Sequence, residues 1–185
     1  SVSTLNAFNT TSGDINIINT GNVLTLDDVG LLGCFTGYAV CNQSVAGSVS
    51  ITNDRSISIP GTSGNGVGAF GKITVTANGA TSDITAQGNK IDSFISGNSD
   101  VILSAGRDVI LGLPASTAHV TAGGNLSITA GRNISEDVGS SVTVSGTSTL
   151  TATTGAITLG ETTNDFGGAV TATTATNVVL GDANS

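Results

Sequence analysis

Two stretches decide how this chain is read: SDVILSAGRDVI (Ser99–Ile110) and GGNLSITAGRNI (Gly123–Ile134). Each has an apolar-alternating run, then Ala-Gly-Arg, then Asp or Asn, then a second apolar run. Ala105-Gly106-Arg107 returns as Ala130-Gly131-Arg132, 25 positions on. One such match is weak evidence, whereas a ladder of matches fixes a fold.

Working outward, apolar pairs two residues apart recur at Ile15/Ile17, Val49/Ile51, Ile73/Val75, Val101/Leu103, Leu126/Ile128, Leu150/Ala152 and Val170/Ala172. Counted between first members, the steps are 34, 24, 28, 25, 24 and 20 residues. Each pair lies in a period-2 run, the mark of a half-buried strand. A second run follows about eight residues later, at Leu24/Leu26, Ile57/Ile59, Ile84, Val109/Leu111, Ile134, Ile157/Leu159 and Val178/Leu180. A third, weaker run includes Phe94, Val120 and Val142/Val144. Gly, Asn and Asp punctuate the runs, where turns need them.

Three short strands per repeat predict an all-β chain, a parallel β-helix of about seven coils. Each strand pairs with its counterpart one coil on, at about 4.8 Å. The alternative is a β-sandwich, which shares the short alternating strands but needs no fixed repeat step.

Composition agrees. Gly is 26 of 185 residues, Trp and Met are absent, and charged residues are 10%, against about 25% in an average protein. The apolar residues are mainly Val, Ile, Leu and Ala, and Thr is abundant, which favours strands over helices. Mean hydropathy is +0.27, too high for a disordered polar chain. Net charge is −8. The five basic residues (Arg55, Lys72, Lys90, Arg107, Arg132) are too scattered for a nucleic-acid footprint. No run reaches the roughly 18 apolar residues of a membrane span. The pattern runs to both ends, so residues 1–185 are expected to be a single β-helical segment of a larger protein.

The first step is about ten residues too long, and the excess falls at about 30–47, in GLLGCFTGYAVCNQSVAG (Gly30–Gly47). The expectation is an inserted loop closed by a Cys34–Cys41 disulfide, as two cysteines in a secreted chain usually pair. Phe35 and Tyr38 make it the candidate contact loop. The alternative is a stapled loop without a partner.

Other motifs carry less. GVGAFG (Gly66, Gly68, Gly71) matches a dinucleotide fingerprint but leads into a strand-like run, not a helix. The acidic pairs Asp27/Asp28 and Glu136/Asp137 are read as solvated corner residues rather than a glycosidase pair. His119 is read as an outward strand residue. Asp54, Asp83 and Asp165 are isolated acids without a calcium-repeat pattern. Thr74/Thr76, Thr149/Thr151/Thr153 and Thr171/Thr173 invite comparison with flat ice-binding arrays, but are read as occupying different places in different coils, outward Thr by propensity. Asn9, Asn42, Asn125 and Asn133 open N-x-S/T sequons. No catalytic, cofactor-binding or metal-binding residues are assigned, and no enzyme activity is expected.

The two opening stretches resemble repeats of filamentous-haemagglutinin-like exoproteins, as does the Asn-Asp-Phe-x-Gly-x-Val portion of the tail (Asn164, Asp165, Phe166, Gly168, Val170). The resemblance covers about residues 97–185, and the first half by spacing alone. It implies a right-handed β-helical stalk, two-partner secretion through an outer-membrane transporter, and a place outside a Gram-negative cell. It further implies a role in attachment or biofilm, with a host-cell or matrix glycan or protein receptor, or further copies of the chain, as partner. A self-assembling β-helical fibre and a polysaccharide-active enzyme are the alternative functions.

Overall fold

The structure is a computed structural model that describes residues 1–27, 38–61, 66–87, 90–93, 98–174 and 176–184. Among these residues there is no helix; the chain forms 22 short strands in three parallel sheets. Sheet A contains β1 (Thr4–Leu5), β4 (Leu24–Leu26), β7 (Ile57–Ile59), β10 (Ile84–Ala86), β13 (Val109–Leu111), β16 (Ile134–Glu136), β19 (Ile157–Leu159) and β22 (Val178–Leu180). Sheet B contains β2 (Ala7–Asn9), β5 (Val40–Asn42), β8 (Val67–Ala69), β11 (Lys90–Ser93), β14 (His119–Ala122), β17 (Ser141–Val144) and β20 (Asp165–Phe166). Sheet C contains β3 (Ile15–Asn19), β6 (Val49–Asn53), β9 (Ile73–Ala77), β12 (Val101–Ala105), β15 (Leu126–Ala130), β18 (Ser148–Ala152) and β21 (Val170–Thr174).

The chain visits A, B and C in strict rotation, and each strand pairs in parallel with its counterpart one coil away. This is a parallel β-solenoid, with no sandwich pairing. The quoted stretches are stacked directly: Val101 pairs with Leu126, Leu103 with Ile128 and Ala105 with Ala130. Inward residues stack into apolar ladders. Leu24, Ile57, Ile84, Val109, Ile134 and Ile157 form one on sheet A, all with no exposed surface. Burying each such side chain contributes about 1.5–3 kcal/mol.

The register corrects the repeat read from sequence in its last third. Leu126 pairs with Ser148, not Leu150, and Ser148 pairs with Val170. Leu150 therefore stacks between Ile128 and Ala172. Ser148 occupies an apolar ladder position, 1% exposed, with its Oγ lacking a hydrogen-bond partner. A serine in the core row breaks the apolar signature while the strand register continues.

One further correction follows. Thr74/Thr76, Thr149/Thr151 and Thr171/Thr173 do share one place in the coil, the outward face of sheet C. Serines and Ile102 fill the same positions in intervening coils and hide the alignment in the sequence. Of the expected insertion at about 30–47, residues 30–37 lie outside the described residues, and Cys41 lies in the regular strand β5. Asp28, Cys34, Phe35 and Phe94 lie outside the described residues.

Candidate functional site

The corners carry most of the polar side chains, and the repeated Ala-Gly-Arg-Asp/Asn sequence accounts for one of them. A Cβ on Gly106 would be driven into the carbonyl oxygen of Gly79, and one on Gly131 into that of Gly106. Glycine lets successive coils approach here. The side chain before four successive sheet A strands, β7, β10, β13 and β16, then accepts a hydrogen bond from the next coil. Ser56 Oγ accepts from the Asp83 N–H (3.0 Å), Asp83 Oδ1 from Asp108 (3.1 Å), Asp108 Oδ1 from Asn133 (3.0 Å) and Asn133 Oδ1 from Ala156 (3.0 Å). Arginines reinforce two of these rungs. Arg107 grips Asp83 through Nε (2.8 Å) and Nη2 (2.5 Å), and Arg132 grips Asp108 through Nε (2.9 Å) and Nη2. The Arg132 hydrogen bond, against some burial and helped by the Asn133 N–H, holds the Asp108 carboxyl below its ordinary value.

The corner leading into sheet C repeats the device: Asp14 Oδ1 accepts from Ser48 (2.8 Å), Asp100 Oδ1 from Asn125 (2.7 Å) and Asn125 Oδ1 from Thr147 (2.9 Å). The sequon asparagines are structural as well. Asn125 and Asn133 serve these ladders, Asn9 Nδ2 donates to Ser12 O, and the fully buried Asn42 donates to Gly13 O and Ser48 O. Asp54 Oδ1 accepts from the Gly21 N–H at 2.7 Å, and Asp165 Oδ1 from Asn184 Nδ2 at 2.5 Å.

Glu136 differs from the solvated corner residue expected. Its backbone continues the inward register of Leu111 on sheet A. Its Oε1 accepts from the Glu161 N–H (2.7 Å) and Asn164 Nδ2 (2.8 Å), while Oε2 is buried without a partner. Burial pushes its carboxyl above the ordinary value, only partly offset by those two bonds.

The outward face of sheet B is the most irregular surface. Its outward row runs Phe8, Cys41, Gly68, Asp92, Thr121, Thr143, Asp165. Cys41 is fully buried despite this outward position, and no cysteine is free among the described residues. Tyr38 is only 8% exposed, so its ring is turned away from solvent, and its hydroxyl donates to Asp92 Oδ2 at 3.1 Å. Asp92 Oδ1 is buried without a partner. Burial raises both groups: the Asp92 charge adds to it for the tyrosine, while the Tyr38 hydrogen bond and Lys90 oppose it for the aspartate. No sequence signal linked Tyr38 to Asp92, since they lie two coils apart.

Next to this row, His119 pairs in register with Lys90 and Ser141. His119 Nδ1 lies 2.7 Å from Ser141 Oγ. Nucleophile and base are within reach, but acyl transfer also needs an orienting group and oxyanion donors, and the backbone N–H groups here are committed to parallel pairing. GVGAFG contains β8 and leads into β9, so no helix N-terminus is available to a dinucleotide phosphate. Among the described residues, no group of three or more His, Cys, Asp or Glu is placed to hold a metal ion. At the corner from sheet B to sheet C a shallow groove is lined by Val45, Ala46, Ser48, Phe70, Gly71 and Lys72, with Val45 93% exposed.

The chain is thus a repeat protein of the parallel β-solenoid class. Residues 98–173, from just before β12 into β21, match a family described as repeats of unknown function (DUF5649). No curated protein and no solved structure matches the chain.

Proposed function

We propose that the chain is a structural and adhesive rod segment of a secreted or cell-surface exoprotein of a Gram-negative bacterium, exported through an outer-membrane transporter. The observation that carries this reading is the unbroken stacking of three parallel sheets around one apolar interior. Neighbouring coils bury each other's inner face, so the array is stiff along its axis. At about 4.8 Å per coil it extends on the order of 35 Å. The match to repeats supports the repetitive architecture, and the resemblance to exoprotein repeats motivates the exported, adhesive role. Weak contacts to a host-cell or matrix receptor, a glycan or a protein, would add by avidity along a stiff rod.

A self-assembling fibre is the second reading: each sheet grows by parallel addition of one strand per coil, a pairing that further copies of the chain could continue. Electron microscopy of the purified chain distinguishes the two. Discrete short rods that bind a glycan or cell-surface panel support the adhesive rod. Long filaments with a regular axial repeat support the fibre and set the first reading aside.

A further inference from the structure

We propose that the outward face of sheet C binds an ordered lattice of water, the surface of ice. Its outer row starts at the exposed Ile18 and continues as hydroxyl residues, Thr52, Thr76, Ser104, Thr129, Thr151 and Thr173, in register. A second row, two residues earlier in each strand, runs from Ser50 to Thr171 and is interrupted by Ile102. Parallel pairing sets the spacing within a row at about 4.8 Å, and two strand residues set the rows about 6.6 Å apart. The within-row repeat is close to an oxygen repeat of hexagonal ice.

Three observations favour this occupant. None of these hydroxyls is held by another protein group among the described residues, whereas corner hydroxyls such as Thr147, Thr154 and Ser140 are all bonded. The face has free donors and acceptors at fixed spacing. It also carries no ionisable side chain, in a chain with 13 acidic and 5 basic residues; this excludes a partner recognised by charge. Finally, it has no aromatic ring, the usual stacking surface for the flat side of a sugar.

The neighbouring sheets lack the arrangement. Sheet A strands are mostly three residues long and offer a single row, and sheet B places Lys90, Asp92, His119 and Asp165 outward. Threonine is stiff at χ1, so the hydroxyls are ordered before contact and little entropy is lost on binding. The proposal does not depend on the adhesive reading.

The test is partition of the purified chain into slowly grown ice, with inhibition of ice recrystallisation as a second readout. The wild type is expected to be enriched in the ice fraction. Thr129→Lys should fall to the level of a non-binding control protein. Thr151→Glu repeats the test at another coil with opposite charge, so a single misfolded variant does not decide it. Thr121→Lys, on the outward face of sheet B, should behave as wild type. Exclusion of the wild type from ice, or equal enrichment of all variants, overturns the proposal. So does binding to crystalline cellulose or chitin without binding to ice, which would make the lattice a polysaccharide.

Discussion

At the corner leading into sheet A, Asp83 and Asp108 each face an arginine from the next coil. At the corner leaving sheet A, Glu136 faces no cation; a backbone N–H and Asn164 hold one oxygen and the other is buried alone. Both corners use a carboxylate to clamp successive coils. The first holds its acid as the anion, and the second penalises the anion by burial. What separates them is one repeated Gly-Arg pair, which brings the coils close and supplies the charge.

The sharpest way to break the first corner is Gly131→Ala. The new Cβ collides with the backbone oxygen of Gly106, which cannot rotate away as a side chain could. The coils must part, and the Arg132 and Asn133 contacts to Asp108 are lost with them. Destabilisation of about 3 kcal/mol or more is expected, read from equilibrium urea unfolding. A cost under about 1 kcal/mol would mean that the corner does not govern stacking. Residue 155, also glycine, occupies the next rung with its Cβ position against Asn133 and Arg132, so Gly155→Ala should behave alike.

Asp108→Ala removes both the Arg132 pair and the acceptor for the Asn133 N–H. It should cost about 1–3 kcal/mol, the range for leaving a buried donor unpaired. Asp108→Asn keeps an acceptor oxygen and loses only the ion pairs to Arg132 and Arg107. Since the Arg132 side chain is 53% exposed, that loss is expected to be much the smaller of the two. Equal losses in the two variants would show that the charge, not the backbone clamp, dominates this corner.

Ser148→Val leaves both corners intact and supplies a baseline for them. It removes an unpaired buried hydroxyl between Leu126 and Val170. A gain of about 1 kcal/mol in urea unfolding is expected.

Ser148 also marks how far the sequence was legible. The fold could be read because inward positions are apolar at period two in nearly every coil, and because Ala-Gly-Arg repeats where the coils touch. Where Ser148 replaced an aliphatic residue, the register slipped by two. The sheet C array was missed for a related reason: Ser104 and Ser127 share outward rows with threonines, but a search for Thr-x-Thr does not register serine. Asp108 could be found through its motif. Glu136 and the Tyr38–Asp92 contact could not, because burial and a partner one or more coils away leave no local pattern. Cys34–Cys41 pairing remains an expectation from cysteine count, checked by the mass of the non-reduced chain after alkylation.

The smallest effects are the most discriminating between the corners, because they have opposite signs with pH. Asp108 has a folded-state value below the roughly 3.9 of an unfolded aspartate. Its contribution is complete above that value and is lost as pH falls through the folded value. Glu136 has a folded-state value above the roughly 4.3 of an unfolded glutamate. Its contribution is complete below about 4.3 and is lost as pH rises through the folded value. Urea midpoints measured from pH 3 to 7 should show both slopes. Asp108→Asn should flatten the acid limb alone. Glu136→Gln should flatten the rise-side loss alone, since the amide oxygen can still accept from the Glu161 N–H. If Glu136→Gln instead changes stability equally at every pH, the glutamate acts through shape and hydrogen bonding, and the contrast in charge between the two corners disappears.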